Sequence, residues 1–212
     1  MNREYPAAMK SEEVIMVVPR DSLLGDEAFQ GFLPAVKGAY EQRILNHLQY
    51  MKRGLAETDF SFKQPICYAV IVNPSLGKVF AYQRSRVDAN YAEKRLQGKW
   101  SWGVGGHIEK PDQQGGNPLH RSLLRELDEE VVISGTAQPR VLGYLNDDTN
   151  DVGRVHFGLL YVVETDAKTV TPRDGEMSSG ALLSIDDLRS IALSDRYEVE
   201  EWSRIALDPL ES

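Results

Sequence analysis

Residues Gly103–Ile133 read GVGGHIEKPDQQGGNPLHRSLLRELDEEVVI, and this stretch decides the fold of the chain. The apolar residues of its second half recur at helical spacing, at Leu119, Leu123, Leu127 and Val131. This spacing predicts a helix with one buried face. Glu126, Glu129 and Glu130 lie three and four residues apart, so their carboxylates share another face and repel one another. Packing does not explain so much negative charge, and we expect divalent cations to neutralise it.

Composition limits the classes of protein to which the chain can belong. Its 212 residues are 42% hydrophobic and 26% charged, which suffices for one full core with an extension. A net charge of -8 disfavours binding to duplex nucleic acid, whereas bound Mg²⁺ would still let a nucleotide bind. Cys67 is the only cysteine, which excludes an intrachain disulfide. We find neither an apolar signal core nor a run long enough for a membrane span, and expect a cytoplasmic protein.

The residues before the glycine-rich stretch predict an extension. Val14–Val18 is a β-branched run that Pro19 closes, which predicts a strand. Apolar residues at helical spacing predict a helix from Tyr40 to Leu55. We expect residues 1–60 to form an N-terminal extension that packs on a main domain of residues 61–212.

The main domain is predicted to alternate strands and helices. Ile66–Val72 and Lys78–Gln83 are strand-like runs joined by a turn with Pro and Gly, which predicts a hairpin. Arg84 follows this hairpin, where it could clamp a phosphate or be a solvated charge. Later elements are two strands, a last short strand and two helices: Arg140–Tyr144, Arg154–Glu164, Ala181–Ser184, Ile185–Ile191 and Tyr197–Leu207.

The spacing of glycine and charged residues in the first stretch resembles the Nudix box. That pattern reads Gly, five residues, Glu, seven residues, Arg-Glu, an aliphatic residue, any residue, Glu-Glu, any residue, Gly and an aliphatic residue. Here Asp112 follows Gly106 after five residues, and the run Arg125–Glu130 follows after twelve more. Counting seven residues back from Arg125 places Asn117 in the acidic position instead. The resemblance extends from about Val14 to Trp202, through GVGGHI, RELDEEV and LGYLNDDTNDVGRVHFGLLY, to a branch described as MutT-type phosphoesterases.

Both ends of the acidic helix can be predicted. Asn117 is a good N-cap, and Pro118 suits the first helical position. Val132 stands where the pattern has its last Gly, and a β-branched residue disfavours positive φ. We therefore expect the helix to stop by another route, near Ser134-Gly135.

The resemblance implies a fold and a chemistry. The fold is α/β, the Nudix α/β/α sandwich with a mixed sheet, and the activity is Mg²⁺- or Mn²⁺-dependent hydrolysis of a phosphoanhydride in a nucleoside diphosphate linked to another group. The metal ligands would be Glu126, Glu129, Glu130 and the carbonyl of Gly105. Catalysis would involve Glu129, Glu176 and Arg125, with Glu129 or Glu176 as the base and Asp174 as the fallback. Substrate contacts would be Arg84, His107, Asp147 and His156.

Several alternatives remain at this stage. The loop Asn146–Asp151 can be an ordinary surface turn, and His156 can be a buried, hydrogen-bonded histidine. The chain can also be a non-catalytic Nudix domain that senses a nucleotide or sugar phosphate. An isoprenoid diphosphate isomerase is disfavoured because no cysteine lies just before His107 and Cys67 is far upstream. A structural protein would not respond to metal. The Nudix resemblance also makes a homodimer reasonable.

Overall fold

The longest β-rich run of the sequence forms the central strand of the fold. We analysed a computed structural model, which describes residues 10–85, 97–173, 175 and 177–210. Its strands are β1 (Val14–Pro19), β2 (Gly31–Pro34), β3 (Gln49–Lys52), β4 (Phe62–Asn73), β5 (Lys78–Arg84), β6 (Trp100–Ser101), β7 (Val131–Ile133), β8 (Gln138–Asn146), β9 (His156–Glu164), β10 (Val170–Pro172) and β11 (Met177–Ser184). Strand β4 lies inside the sheet and is buried along most of its length.

Seven α-helices accompany these strands in the described residues. They are α1 (Arg20–Leu24), α2 (Tyr40–His47), α3 (Arg53–Ala56), α4 (Pro118–Glu130), α5 (Asp151–Val155), α6 (Ile185–Leu193) and α7 (Glu201–Leu207). Short 3₁₀ turns cover Ala35–Lys37, Lys110–Gln113 and Asp208–Leu210. None of the helices in the described ranges is long and apolar enough to cross a membrane.

The main sheet is mixed. Its strand order is β11-β5-β4-β9-β8-β2, with β1, β3 and β6 paired off this path. Strands β4 and β9 run parallel, whereas the other neighbours on the path are antiparallel. Strands β7 and β10 form a separate two-stranded sheet.

Helices cover both faces of this sheet. Because alternate residues of a strand point to opposite sides, β4 contributes side chains to a core on each face. Cys67, Ala69 and Ile71 of β4 pack in a core with the buried leucines of α4. Tyr68 and Val70 face a second core, which Leu188 of α6 and Leu207 of α7 join. The predicted α/β/α sandwich with a mixed sheet is therefore confirmed.

The extension contributes directly to the first core. Met16 and Val18 of β1 and Tyr40 and Ile44 of α2 are buried in the same core as the leucines of α4. The backbone N–H of Met16 also donates to the carbonyl of Ile108, at 2.7 Å. Strand β1 thus helps to hold the loop after the glycine turn, which is the turn formed by residues 103–106. The boundary predicted after residue 60 stays a prediction.

Three predictions about helix bounds are wrong. The last helix, predicted from Tyr197, begins at Glu201, because residues 198–200 instead bond to the backbone of Trp100. The helix predicted from Tyr40 to Leu55 ends at His47, because Gln49–Lys52 instead pairs with β1 as strand β3. The acidic helix ends at Glu130, before Ser134-Gly135. Val131 takes an extended conformation, with φ of -137°, and leads straight into β7, which pairs with β10. The chain therefore leaves α4 without the left-handed residue that a glycine would supply.

Candidate active site

The glycine turn before α4 is pressed against the central strand. Val104 exchanges two backbone hydrogen bonds with Ala69, at 2.7 and 2.9 Å. Gly105 has φ of +143°, and a Cβ there would lie 1.7 Å from the carbonyl oxygen of Cys67. Only glycine fits this position, since backbone atoms of β4 cannot move away. The turn is thereby fixed beside the N-terminal half of β4.

Helix α4 is built as the sequence predicts at its start. The side chain of Asn117 accepts from the N–H of Leu119 at 2.9 Å, and Pro118 is the first helical residue. The leucines on its inner face are buried, and each contributes about 1.5–3 kcal/mol relative to an exposed side chain. That packing turns the charged residues of the last two turns toward the glycine turn.

Arg125 is the centre of the charged group. Its guanidinium donates to both oxygens of Asp112, at 3.0 and 3.1 Å. It also donates to Glu126 at 2.8 Å and to Glu129 at 3.2 Å, and lies 3.8 Å from Glu109. Four carboxylates thus surround one cation. Although burial opposes the charge, these hydrogen bonds and charges raise the pKa of Arg125 above its ordinary value.

The position of Asp112 decides between the two candidates for the loop acid. Asp112 is buried, lies in the 3₁₀ turn Lys110–Gln113 and accepts the Glu109 N–H at 2.8 Å. Asn117 caps α4 instead, as described above. The longer loop therefore folds back as a short turn and presents Asp112, rather than Asn117, to Arg125.

Glu126 is the most buried of the three helix carboxylates. Its side chain is 11% exposed, whereas that of Glu129 is 59% exposed. A Cβ on Gly106 would lie 2.6 Å from Glu126 Oε1, so the carboxylate packs directly on the glycine turn. Burial raises the pKa of the Glu126 carboxyl, and Arg125 opposes that rise. A nearby cation would therefore favour its ionised form.

The donor atoms at this end of α4 suit a hard divalent cation. Arg125 takes Oε1 of Glu126 and Oε2 of Glu129. The second oxygen of each receives no hydrogen bond within the described residues. Carboxylate oxygens are preferred ligands of Mg²⁺ and Mn²⁺, so the residues fit such an ion in their chemistry. Within the same part of the chain, no three His, Cys, Asp or Glu side chains already converge as a metal site.

Two of the predicted substrate contacts, His107 and His156, lie together. Their Nε2 atoms are 3.3 Å apart, and His107 Nε2 is 2.8 Å from Gln64 Oε1. His156 Nδ1 lies 2.7 Å from the carbonyl of Val152. Burial lowers the pKa of His156 to about 4 and that of His107 well below its ordinary value. Both rings are therefore neutral near pH 7, and their substrate role stays a prediction.

Asp147 lies in a loop that is tightly organised. It is 2% exposed, and its carboxylate accepts from Gln30, Thr149 and Asn150 at 2.6–3.0 Å. These bonds occupy both oxygens, which supports a role in shaping the loop. Substrate binding by Asp147 stays a prediction.

Arg84 forms bonds inside the protein. Its Nε donates to Glu200 Oε1 at 2.6 Å, and its guanidinium lies 5.5 Å from the centre of the Tyr82 ring. Glu200 also accepts from Ser101 at 2.9 Å. The predicted phosphate contact of Arg84 remains untested by these bonds. Glu176 and the fallback Asp174 lie outside the described residues.

Sequence reasoning missed two buried polar residues, Lys63 and Gln64, which form hydrogen bonds to residues around the candidate site. Lys63 and Gln64 are both 0% exposed, although they open strand β4 as polar residues. Lys63 Nζ donates to Asp148 at 2.8 Å, to the carbonyl of Gly153 at 2.8 Å and to that of His156 at 3.1 Å. A lysine at a strand end ordinarily suggests an exposed charge. Nothing in the local sequence reveals these partners.

The chain is similar to known proteins. The family model of the NUDIX domain matches residues 63–203. Protein YmaB of Bacillus subtilis (strain 168) is 32% identical over 219 residues, which cover 95% of this chain and 99% of YmaB.

Solved structures show the same fold. The crystal structure of Tm1382, described as a Nudix hydrolase, is 25% identical, has a TM-score of 0.76 and covers 93% of this chain and 98% of its own. The NUDIX domain of Shewanella oneidensis NrtR, complexed with ADP ribose, is 14% identical, with a TM-score of 0.53, and covers 70% of this chain and 86% of its own. The order of glycine turn, acidic helix and mixed sheet, together with the family match, shows that the chain belongs to the Nudix family.

Proposed function

We propose that this protein is a Mg²⁺- or Mn²⁺-dependent hydrolase that cleaves a phosphoanhydride bond in a nucleoside diphosphate linked to another group. One observation carries the proposal: four carboxylates surround the single guanidinium of Arg125. That excess of negative charge is suited to a divalent cation, which would then attract the anionic diphosphate. Nudix hydrolases generally use divalent metal ions.

The residues of α4 would share this work. Glu126, Glu129 and Glu130, with the carbonyl of Gly105, would hold the cation, and Arg125 would keep Glu126 and Glu129 in place. When bound, the metal ion would polarise the diphosphate and lower the pKa of an attacking water.

A proton acceptor and a phosphate contact complete the proposal. Glu129 or Glu176 would take the proton from water. The exposure of Glu129 supports this role, because its carboxylate is open to solvent. Arg84 would bind the departing phosphate, oriented by its bond to Glu200.

A substrate panel tests this proposal. Purified protein would be incubated with Mg²⁺, Mn²⁺ or EDTA and with nucleoside triphosphates, ADP-ribose, dinucleoside polyphosphates, NADH, coenzyme A and nucleotide sugars, and phosphate-containing products would be measured. ADP-ribose belongs in the panel because the NrtR domain binds it. We expect hydrolysis of one substrate class with metal and none with EDTA. Tight binding of a nucleotide without metal-dependent turnover would instead support the non-catalytic alternative.

A further inference from the structure

Three uncharged polar side chains form a hydrogen-bonded chain beneath the glycine turn. We call Gln64, His107 and His156 the imidazole chain. Gln64 of β4 and His156 of β9 are register partners in the parallel pair of strands, and Ile66, two residues after Gln64, bridges to His107. The imidazole chain thus joins the central sheet to the loop that follows Gly106.

The direction of its hydrogen bonds can be deduced. The carbonyl of Val152 only accepts, so His156 Nδ1 carries the proton that spans 2.7 Å. Nε2 of the neutral His156 ring is then an acceptor, and His107 Nε2, at 3.3 Å, must carry a proton. The same proton faces Gln64 Oε1 at 2.8 Å. The Nε2–H group of His107 is therefore shared between two acceptors, Gln64 Oε1 and His156 Nε2.

His107 also touches the charged group through its backbone. Its carbonyl oxygen accepts from Arg125 Nη2 at 3.0 Å and from the Ser122 hydroxyl at 3.3 Å. A displacement of His107 would therefore move an acceptor of the guanidinium that holds Glu126 and Glu129. Ring and carbonyl belong to one residue, so the two sets of bonds are mechanically linked.

The far end of the imidazole chain is anchored as well. Lys63, which is fully buried, donates to the carbonyls of Gly153 and His156 at 2.8 and 3.1 Å. These bonds fix the junction between α5 and β9. His156 consequently projects from a rigid point rather than from a loose loop.

We propose that His156 and Gln64 are positioning residues, which hold His107 so that its carbonyl orients Arg125 and, through Arg125, the metal-binding carboxylates of α4. This inference rests on the proposed function for its catalytic consequence. Its structural part, the placement of Arg125, does not depend on any particular substrate. The proposal makes His156 a residue that positions His107, in place of a residue that contacts the substrate.

Substitutions of His156 and Gln64, on either side of His107 in the imidazole chain, test this role. His156→Phe and Gln64→Leu remove the hydrogen bonds at similar volume, and His156→Gln returns an amide oxygen near the Nε2 position. His120→Phe is the matched control, because His120 is exposed on α4. Four quantities would be measured: the Kd of Mn²⁺ by electron paramagnetic resonance, the Arg125 Nε–H signal by NMR, and kcat and KM.

We expect the first two variants to raise the Mn²⁺ Kd about 10-fold, as loss of an outer-shell partner does, and to shift the Arg125 signal. At saturating metal, KM should stay within about 2-fold of the wild-type value. His156→Gln should recover most of the Mn²⁺ affinity. His120→Phe should change neither the Mn²⁺ Kd nor the Arg125 signal.

Other outcomes would overturn the inference. A higher KM with unchanged Mn²⁺ Kd and an unchanged Arg125 signal would make His156 a substrate contact. If His156→Phe does not fold, Gln64→Leu carries the test. If the wild-type protein hydrolyses nothing, the proposed function fails, whereas the Mn²⁺ and NMR measurements still decide the positioning role; if it binds no Mn²⁺, the Arg125 signal decides alone.

Discussion

Arg125 and Asp148 each lie at the centre of a cluster of charged side chains, and the two clusters differ in how their charges balance. Arg125 is one cation among four carboxylates. Asp148 is one carboxylate between two cations, Arg20 at 2.5 Å and Lys63 at 2.8 Å. Although burial opposes ionisation, hydrogen bonds from these cations lower the pKa of Asp148 to about 2.

The difference is the basis on which we propose a functional role for the Arg125 cluster and a structural role for the Asp148 cluster. Lys63 directs its donors to three protein acceptors, so the Asp148 cluster has no need of a ligand. Among the described residues, the Arg125 cluster keeps carboxylate oxygens that receive no hydrogen bond, and it has an excess of negative charge. A buried ion pair that is internally satisfied supports the fold, whereas an unbalanced one indicates a site.

The largest effect is expected on stability at the Asp148 cluster. Lys63→Met would leave Asp148 with one cation and remove a donor from the carbonyls of Gly153 and His156, so the free energy of unfolding should fall by about 3 kcal/mol. Urea denaturation measures this. Lys52→Met is the control: Lys52 pairs with Glu12 at 2.6 Å but is 55% exposed, so its loss should cost less than about 1 kcal/mol. Equal losses would contradict the contrast between the clusters.

The next effect is on catalysis at the Arg125 cluster. Glu129→Gln should lower turnover by at least about 100-fold, close to 2.7 kcal/mol in the barrier, because a metal ligand or base is lost. The melting temperature should hardly change, since the side chain is 59% exposed. Asp128→Asn is the matched control, because Asp128 is 78% exposed on the same helix and pairs with Arg173. Full activity in Glu129→Gln would remove Glu129 from the site.

A smaller effect should follow from changing the central cation. Arg125→Lys keeps the charge but cannot bind Asp112, Glu126 and Glu129 together, so we expect turnover to fall by about 10-fold. Arg121→Lys, on an exposed position one turn earlier, should have no effect. Steady-state kinetics at saturating metal compare the two. If both variants turn over substrate at the wild-type rate, the guanidinium of Arg125 does not organise the site.

A pH-dependent effect on stability is expected at His156. The pKa of His156 falls from 6.5 to about 4 on folding, so the unfolded chain binds more protons between these values. The stability contributed is complete above about pH 6.5 and is lost as the pH falls toward 4. The free energy of unfolding, measured across this range, should vary less steeply in His156→Phe than in the wild-type protein or in the His47→Phe control. Identical slopes would show that His156 does not titrate in this way.

The same contrast explains what sequence could predict. The glycine turn, the start of α4 and its carboxylate face follow from local spacing, and the structure contains them. Lys63 and Gln64 depend on partners at Asp148 and His107, which are distant in sequence, so no local pattern reveals their burial. The helical spacing after His47 was overridden by pairing with β1. Roles of individual site residues, the homodimer and the cytoplasmic location stay predictions.

The central claim is that the unbalanced carboxylates around Arg125 bind a divalent cation, and calorimetric titration with Mn²⁺ tests it most directly. Wild-type protein, Glu129→Gln and Asp128→Asn would be titrated under the same conditions. We predict that Glu129→Gln raises the Kd at least about 10-fold, while Asp128→Asn binds as the wild-type protein does. Equal affinity in all three proteins, or no binding to any of them, would contradict the claim.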